Sequence, residues 1–340
     1  MEDIGLAGHH HRPYIRPPMP PGPRVLVVRF SSLGDVILTT PLLRAIRRRH
    51  PAADITFVVR ARYADVLAGN PAVTSIVAVE PRERVTGLAR RLASIEYDAR
   101  LDLQDSVRSR RLRRALGGLW GVAHRRRAAR LLLIWLGVDT YGAYVPMAER
   151  YFTAAGALKV RPDGDPPEVF PSGEDEARAA ELVPGDCVAL APGASWASKR
   201  WPARHWRTLA DRLVARGLCV VAVGGAEERD LLAGPSIVEA CGLPLRTTAA
   251  ILARARVVVA NDSGMLHLAT AVRRPVIALL GPTVPAFGYL PYGVPAEVLE
   301  RPVACRPCSP SGSDHCPLGH HRCMIEIEPE AVAAAVERAA

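Results

Sequence analysis

At 340 residues the chain has room for two domains with their own cores, and 49% hydrophobic with 23% charged residues excludes an intrinsically disordered protein. Its longest apolar run, LLLIWLGV at 131–138, falls far short of the roughly 20 residues that a membrane span needs. A net charge of +10 points to an acidic partner: a nucleic acid, an anionic lipid surface or a phosphorylated substrate.

Residues 1–22 are expected to form a disordered Pro-rich lead-in. They lack the apolar segment of a secretory signal, and His9-His10-His11 reads as incidental rather than as a metal site. RVLVVRF (24–30) then has the β-branched character of a buried parallel strand, and SSLGD leads into a helix with apolar positions Val36, Ile37, Leu42, Leu43 and Ile46. Pro41 is expected in a first turn. Strands are expected at 54–59, 74–79 and 99–104, with helical material between them. VRPDGDPPEVFPSG (160–173), rich in Pro and Gly, is the linker candidate. The alternation then resumes with strands at 187–191, 218–224, 256–260 and 275–281 and helices at 203–215, 226–233, 248–254 and 264–272, before a terminal helix. Two successive series of strand-then-helix units predict two doubly wound α/β domains facing each other.

In such sheets ligands bind outside the carboxyl ends of the strands, which selects four polar corners. In RFSSLGDV, Gly34 permits a tight turn, and Asp35 reads either as a helix N-cap or as a general base in the interdomain cleft. In LAPGASWASKRWPARHW, Ser195 offers a hydroxyl and Lys199 a compact charge suited to phosphate. Lys159 and Lys199 are the only lysines among 44 basic residues, so one kept inside a polar motif stands out. Trp201 and Trp206 are expected to pack behind this loop. In VGGAEERD, Glu227 suits a helix start or the hydroxyls of a ribose. In NDSGMLHLA, Asp262, Ser263 and Gly264 precede a helix with His267 one turn in, which reads as a plain cap or as an anion site. No G-x-G-x-x-G or G-x-x-x-x-G-K-[ST] occurs, which argues against a dehydrogenase and a P-loop NTPase.

Nine arginines lie within 108–130, namely Arg108, Arg110, Arg111, Arg113, Arg114, Arg125, Arg126, Arg127 and Arg130. They read as a solvated face or as an acceptor-side patch for lipid phosphates and an anionic leaflet, with Gly34, Arg60 and Arg62 placed on the same acceptor side. Nucleic acid is disfavoured, since aromatic interleaving is lacking. Cys305, Cys308, Cys316 and Cys323 share one short loop with His315, His320 and His321, which leaves open a zinc or iron knuckle, reduced thiols or disulfides. Cys187, Cys219 and Cys241 are expected to be small buried hydrophobes.

Taken together, RVLVVRFSSLGDVILTTPLLRAIRRRHP, APGASWASKRWPARHW and NDSGMLHLA resemble the ADP-heptose:lipopolysaccharide heptosyltransferases, glycosyltransferase family 9, over nearly the whole chain from Arg24 onward. CRPCSPSGSDHCPLGHHRCM is similar to the cysteine-bearing end of one branch of that family. The resemblance implies an α/β GT-B fold, with two Rossmann-like domains facing across a cleft. The acceptor domain would span 23–165, and the donor domain 166–340, including the Cys-rich loop 305–323 and the terminal helix. It also implies an inverting transfer of L-glycero-D-manno-heptose from ADP-heptose to the inner core of lipopolysaccharide, with no cofactor or metal required. Asp35 would be the base, and Ser195, Lys199, Ser263 and Gly264 would handle diphosphate and ribose. Glu227 would hold the nucleotide-sugar moiety, Asp262 would grip heptose hydroxyls, and His267 belongs to the same motif.

The implied partners are a nucleotide-sugar donor, a phosphorylated lipid A/Kdo-type acceptor and, by peripheral contact, an anionic membrane. The implied location is cytoplasmic, at the inner face of the inner membrane. Two other readings stay open: a related transfer using another nucleotide sugar or a protein acceptor, and a non-catalytic nucleotide-sugar or nucleic-acid binder.

Overall fold

The computed structural model describes residues 22–183, 185–232 and 234–339. The lead-in expected at 1–22 lies outside them apart from Gly22, as does the His9-His10-His11 cluster. The first sheet contains β1 (Arg24–Val28), β2 (Asp54–Arg60), β3 (Ser75–Val79), β4 (Ala99–Asp102) and β5 (Gly121–Val122), all parallel, in the order β3-β2-β1-β4-β5. The second contains β6 (Cys187–Ala191), β7 (Cys219–Gly224), β8 (Ile237–Cys241), β9 (Ala255–Asn261), β10 (Val276–Leu280) and β11 (Ala296–Glu300), also parallel, in the order β11-β10-β9-β6-β7-β8. Each sheet reverses strand order beside its first strand, between β1 and β4 and between β6 and β9. Ligand crevices open at such points.

The central strands are apolar throughout because both of their faces are covered. Val25, Leu26, Val27 and Val28 are fully buried, as are Val257, Val258 and Val259. One core cluster runs continuously between the sheets, from Val25 and Ile37 to Leu266 and Ala278. The outer face of the second sheet is closed by Trp201, Trp206 and the helix Pro329–Ala339, which buries Val332, Ala333 and Val336. The outer face of the first is closed by Leu88, Leu92 and Leu112.

Several elements differ from the expectation. The helix expected from Val36 to Ile46 is two helices, Leu33–Ile37 and Thr40–Arg49. At the break, the Thr39 and Thr40 hydroxyls donate to the carbonyls of Val36 and Ile37 at 2.6 and 2.8 Å, capturing groups that would continue the first helix. Pro41 then sits in the first turn of the second, where its missing N–H is harmless. Residues 226–231 form a 3-10 turn rather than the expected helix. The strands β5, β8 and β11 lie outside the expected set: β5 has only two residues, Glu239 interrupts β8, and Glu297 and Glu300 interrupt β11.

The 160–173 stretch is held by Arg44, whose guanidinium pairs with Asp163 at 2.9 Å and Glu168 at 2.8 Å. Between the sheets, Leu33–Ile37 abuts the helix Gly264–Ala271. A Cβ on Gly34 would lie 2.4 Å from the His267 ring, and one on Gly264 would lie 2.8 Å from Leu33. Two glycines therefore permit the close approach of these two helices.

Candidate active site

Asp35 stands at the carboxyl end of β1, three residues into its helix cap. Ser32 is the N-cap residue, which corrects the reading of Asp35 as the cap itself. Asp35 Oδ2 accepts from the Ser32 hydroxyl at 2.8 Å and from the Ser32 amide at 3.2 Å, the reach-back half of a capping box. Its other oxygen is crowded. Oδ1 pairs with Arg29 Nη2 at 2.6 Å and accepts from the hydroxyls of Tyr151 at 2.9 Å and Tyr289 at 3.1 Å. Asp35 is only 8% exposed, so burial pushes its pKa up. The charges of Arg29 and then Arg125, with the Ser32 bonds, outweigh burial and hold the carboxyl well below the usual range. Both tyrosine hydroxyls are pushed up, chiefly by burial, so they stay protonated as donors.

The facing corner belongs to the second sheet. Asn261, fully buried at the end of β9, donates to the Pro192 carbonyl at 2.7 Å and accepts from the Trp201 amide at 3.1 Å, tying the β9 corner to the loop after β6. Asp262 Oδ2 takes Lys199 Nζ at 2.6 Å and the Thr283 hydroxyl at 2.7 Å. Burial pushes the Asp262 pKa up, but the Lys199 charge and these bonds bring it below its ordinary value. Ser263 is the N-cap residue of Gly264–Ala271, yet its hydroxyl makes no cap bond. Among the described residues, buried Ser263 Oγ and His267 Nδ1 have no hydrogen-bond partner. Burial lowers the His267 pKa to about 4 although Asp262 and Asp35 pull the other way, so the imidazole is neutral at neutral pH. A buried hydroxyl and an imidazole nitrogen left unpaired at a helix N-terminus fit an anionic ligand that would complete them.

Asp35, Gly34, Lys199, Asp262, Ser263, Gly264 and His267 thus meet where the lobes touch. Ser195 lies exposed on the loop after β6, and Glu227 is exposed after β7. Its neighbour Glu228, missed in the sequence, is the buried acid there. Glu228 accepts from the Gly225 amide at 2.5 Å and sits where a Cβ on Gly193 would lie, 2.6 Å away. Arg60 is half-buried at the end of β2, and Arg62 is exposed with its guanidinium 4.5 Å from the Tyr63 ring centre.

The nine-arginine stretch divides. Arg110 pairs with Asp105 at 3.0 Å, while Arg111 and Arg114 are exposed, the solvated face of one reading. Arg125 and Arg130 turn inward: Arg125 donates to the Gln104 carbonyl at 3.0 Å and its charge acts on Asp35 and Tyr289, while Arg130 packs 4.6 Å from the Phe287 ring centre.

The Cys-rich loop buttresses the turn that carries Lys199. The Ser313 amide donates to Ser198 Oγ at 2.8 Å, and the His321 ring lies 2.8 Å from the Ser198 carbonyl oxygen. Its four thiols are unpaired, and the described residues contain no group of three or more His, Cys, Asp or Glu side chains arranged to hold a metal ion. Cys187 and Cys241 are buried and Cys219 is half-buried.

Arg29, Tyr151, Tyr289 and Thr283 are the residues here that sequence reasoning missed, while Arg125 was read only as one of the arginine stretch. Only Arg29 carried a signal, a charge directly following a strand of four fully buried valine and leucine side chains.

The chain is similar to known proteins in sequence and in fold. The profile of "Glycosyltransferase family 9 (heptosyltransferase)" matches residues 85–319. Lipopolysaccharide heptosyltransferase 1 of Pseudomonas aeruginosa is 31% identical over 343 residues, covering 90% of this chain and 92% of that one. The glycosyl transferase family 9 structure from Veillonella parvula superposes with a TM-score of 0.75 at 24% identity, covering 93% of this chain and 97% of the other, a likeness of fold. The structure of Escherichia coli heptosyltransferase WaaC with ADP gives a TM-score of 0.69 at 25% identity, covering 93% and 100%.

Proposed function

The chain belongs to glycosyltransferase family 9, the heptosyltransferases, and from that premise we propose that it transfers L-glycero-D-manno-heptose, with inversion, from ADP-heptose to the inner core of lipopolysaccharide. The observation that carries this reading is the meeting of an ionised carboxylate from one lobe with an incompletely bonded helix N-terminus from the other. A relative at 31% identity is a lipopolysaccharide heptosyltransferase, and a 25% identical heptosyltransferase of the same fold was solved with ADP.

In the proposed reaction the acceptor hydroxyl attacks the anomeric carbon while the bond from that carbon to the diphosphate oxygen breaks on the opposite face. The hydroxyl proton passes to Asp35 and ADP departs. A carboxylate held far below its usual pKa is always ionised but weakly basic, so it takes the proton late, as the new bond forms. Oδ1 already receives three donors, so one of them must withdraw before a substrate hydroxyl can approach it. Tyr289, which comes from the second lobe, is the donor that withdraws if the lobes part.

The Ser263 hydroxyl, the amides opening Gly264–Ala271 and the Lys199 ammonium supply the positive field that a leaving diphosphate needs. With these charges in place the proposed transfer requires neither a metal ion nor a cofactor. Ser195 and Glu227, at the rim, would meet the nucleotide, and Asp262 the heptose hydroxyls. Arg60 and Arg62 are assigned to the phosphorylated lipid A/Kdo-type acceptor, approached from the cytoplasmic side at an anionic membrane surface.

Calorimetric titration with ADP-heptose beside other nucleotide sugars, followed by mass spectrometry of a truncated lipid acceptor, tests this reading. Preferential ADP-heptose binding and an acceptor heavier by one heptose are expected. Preference for another nucleotide sugar, or no mass gain, would overturn it.

A further inference from the structure

Residues 107–138 contain nine arginines and no aspartate or glutamate. Within them, the helix Arg127–Leu136 is fastened at its head, where Arg127 pairs with Asp105 at 3.5 Å and Arg126 bonds the Tyr141 carbonyl, and along its inward side. Arg130 is buried, donates to the Pro310 carbonyl at 3.3 Å and lies 5.9 Å from the ring centre of Tyr289. The other side is apolar and open. Leu131 and Trp135, and Leu132 and Leu136, are two i,i+4 pairs in adjacent rows, with Trp135 77% and Leu136 68% exposed. Leu318, also exposed, flanks the same groove as Trp135. Leu119 stands 93% exposed after the helix Val107–Leu116, whose Arg111 and Arg114 point into solvent.

A contiguous apolar surface of this kind needs a covering partner. The chemistry around it selects one. Arg126 and Arg127 head the helix and stay exposed, Arg127 sharing its charge with Asp105 just outside the segment, and Trp with Leu on one face is the composition that settles at a lipid–water boundary. Arginines beside such a face suit anionic headgroups. No helix of the described residues is long and apolar enough to cross a membrane, so the contact is in the plane of the surface.

We propose that the helix Arg127–Leu136 docks into the headgroup layer of an anionic lipid surface, with Leu131, Leu132, Trp135 and Leu136 at the acyl boundary and Arg126 and Arg127 on the phosphates. The proposal rests on the lipid-linked acceptor of the function proposed above. It also gives that function a geometry: the inward face of the same helix reaches Tyr289, which bonds the Asp35 carboxylate, so docking holds the base close to the surface that presents the acceptor.

The test uses sedimentation with vesicles of phosphatidylethanolamine and phosphatidylglycerol at 3:1, and of phosphatidylcholine alone. The full chain is expected to bind the anionic vesicles. A double variant, Trp135→Asp with Leu136→Asp, should bind them at least ten-fold more weakly at unchanged circular dichroism and Tm. Brominated acyl chains should quench the wild-type fluorescence, and Trp135→Phe, which keeps the apolar face, should lose that quenching while still binding. Equal binding of wild type and double variant, equal quenching of wild type and Trp135→Phe, or a dimer that the double variant dissolves would each overturn the docking. A water-soluble deacylated acceptor separates the two readings. Wild type and double variant should glycosylate it alike. A wild type that docks through Trp135 yet transfers to no acceptor would sink the proposed reaction and leave the docking standing.

Discussion

The corner after β1 and the corner after β9 look alike in sequence, each an apolar strand followed by Ser, Gly and Asp at the start of a helix. In the folded chain they are finished to different degrees. Asp35 is saturated, with five contacts at 2.6–3.2 Å from Arg29, Tyr151, Tyr289 and both donors of Ser32. Across the lobe contact, Ser263 Oγ and His267 Nδ1 are just as buried but have no partner among the described residues. A saturated carboxylate is preorganised, its charge and orientation fixed before any ligand arrives. Unpaired buried donors and acceptors cost free energy that a ligand can recover on binding. In the proposed reaction one corner serves the chemistry and the other the recognition.

That contrast can be broken most forcefully at Asp35. Asp35→Asn should lower transfer by roughly 10^3-fold, within the range a general base contributes, while the calorimetric Kd for ADP-heptose stays within about threefold of wild type. A parallel loss of donor affinity would erase the division of labour.

Asp262→Asn comes next. It removes a charge-assisted bond to Lys199, and steady-state kinetics should show kcat/KM for the donor falling roughly 10- to 100-fold. Ser263→Ala sharpens the point at smaller size. Because the hydroxyl has no partner in the chain, Tm should hold while donor affinity drops about two- to ten-fold. If Tm fell with unchanged affinity, Ser263 would be a structural cap instead.

The smallest effect is on stability against pH. His267 has a folded pKa of about 4 against 6.5 unfolded, so between those values the unfolded chain binds more protons. Its contribution is complete above pH 6.5 and is lost as pH falls toward 4. His205, also lowered chiefly by burial, acts in the same direction. Asp35 and Asp262, both depressed, weaken the fold only below the ordinary carboxylate range. Denaturant midpoints measured from pH 7 to 4 should decline, and His267→Gln should flatten the decline.

The places that read well from sequence are those where an apolar run stops at a polar corner, because a buried parallel strand and its carboxyl end leave a one-dimensional mark. Asp35, Lys199, Asp262 and His267 were found that way, and so were the paired α/β layers. Tyr151, Tyr289 and Arg125 leave no such mark. They sit in a 3-10 turn, a Pro-rich loop and an arginine-dense stretch, and only the fold brings them to Asp35, Tyr151 and Arg125 from its own lobe and Tyr289 from the other. Glu228 was passed over for Glu227 because adjacent acids are equivalent until the turn decides which one faces inward. The break at Leu38–Thr39 was hidden for a similar reason, since threonine hydroxyls capture carbonyls without altering the apolar period.

The most direct test of the account is a crystal structure of the Asp35→Asn variant with ADP-heptose bound. The account predicts the diphosphate on Ser263 and the amides opening Gly264–Ala271, His267 beside it, and the anomeric carbon turned toward residue 35. A donor seated away from that helix, or a sugar with its anomeric carbon facing away from residue 35, would contradict it.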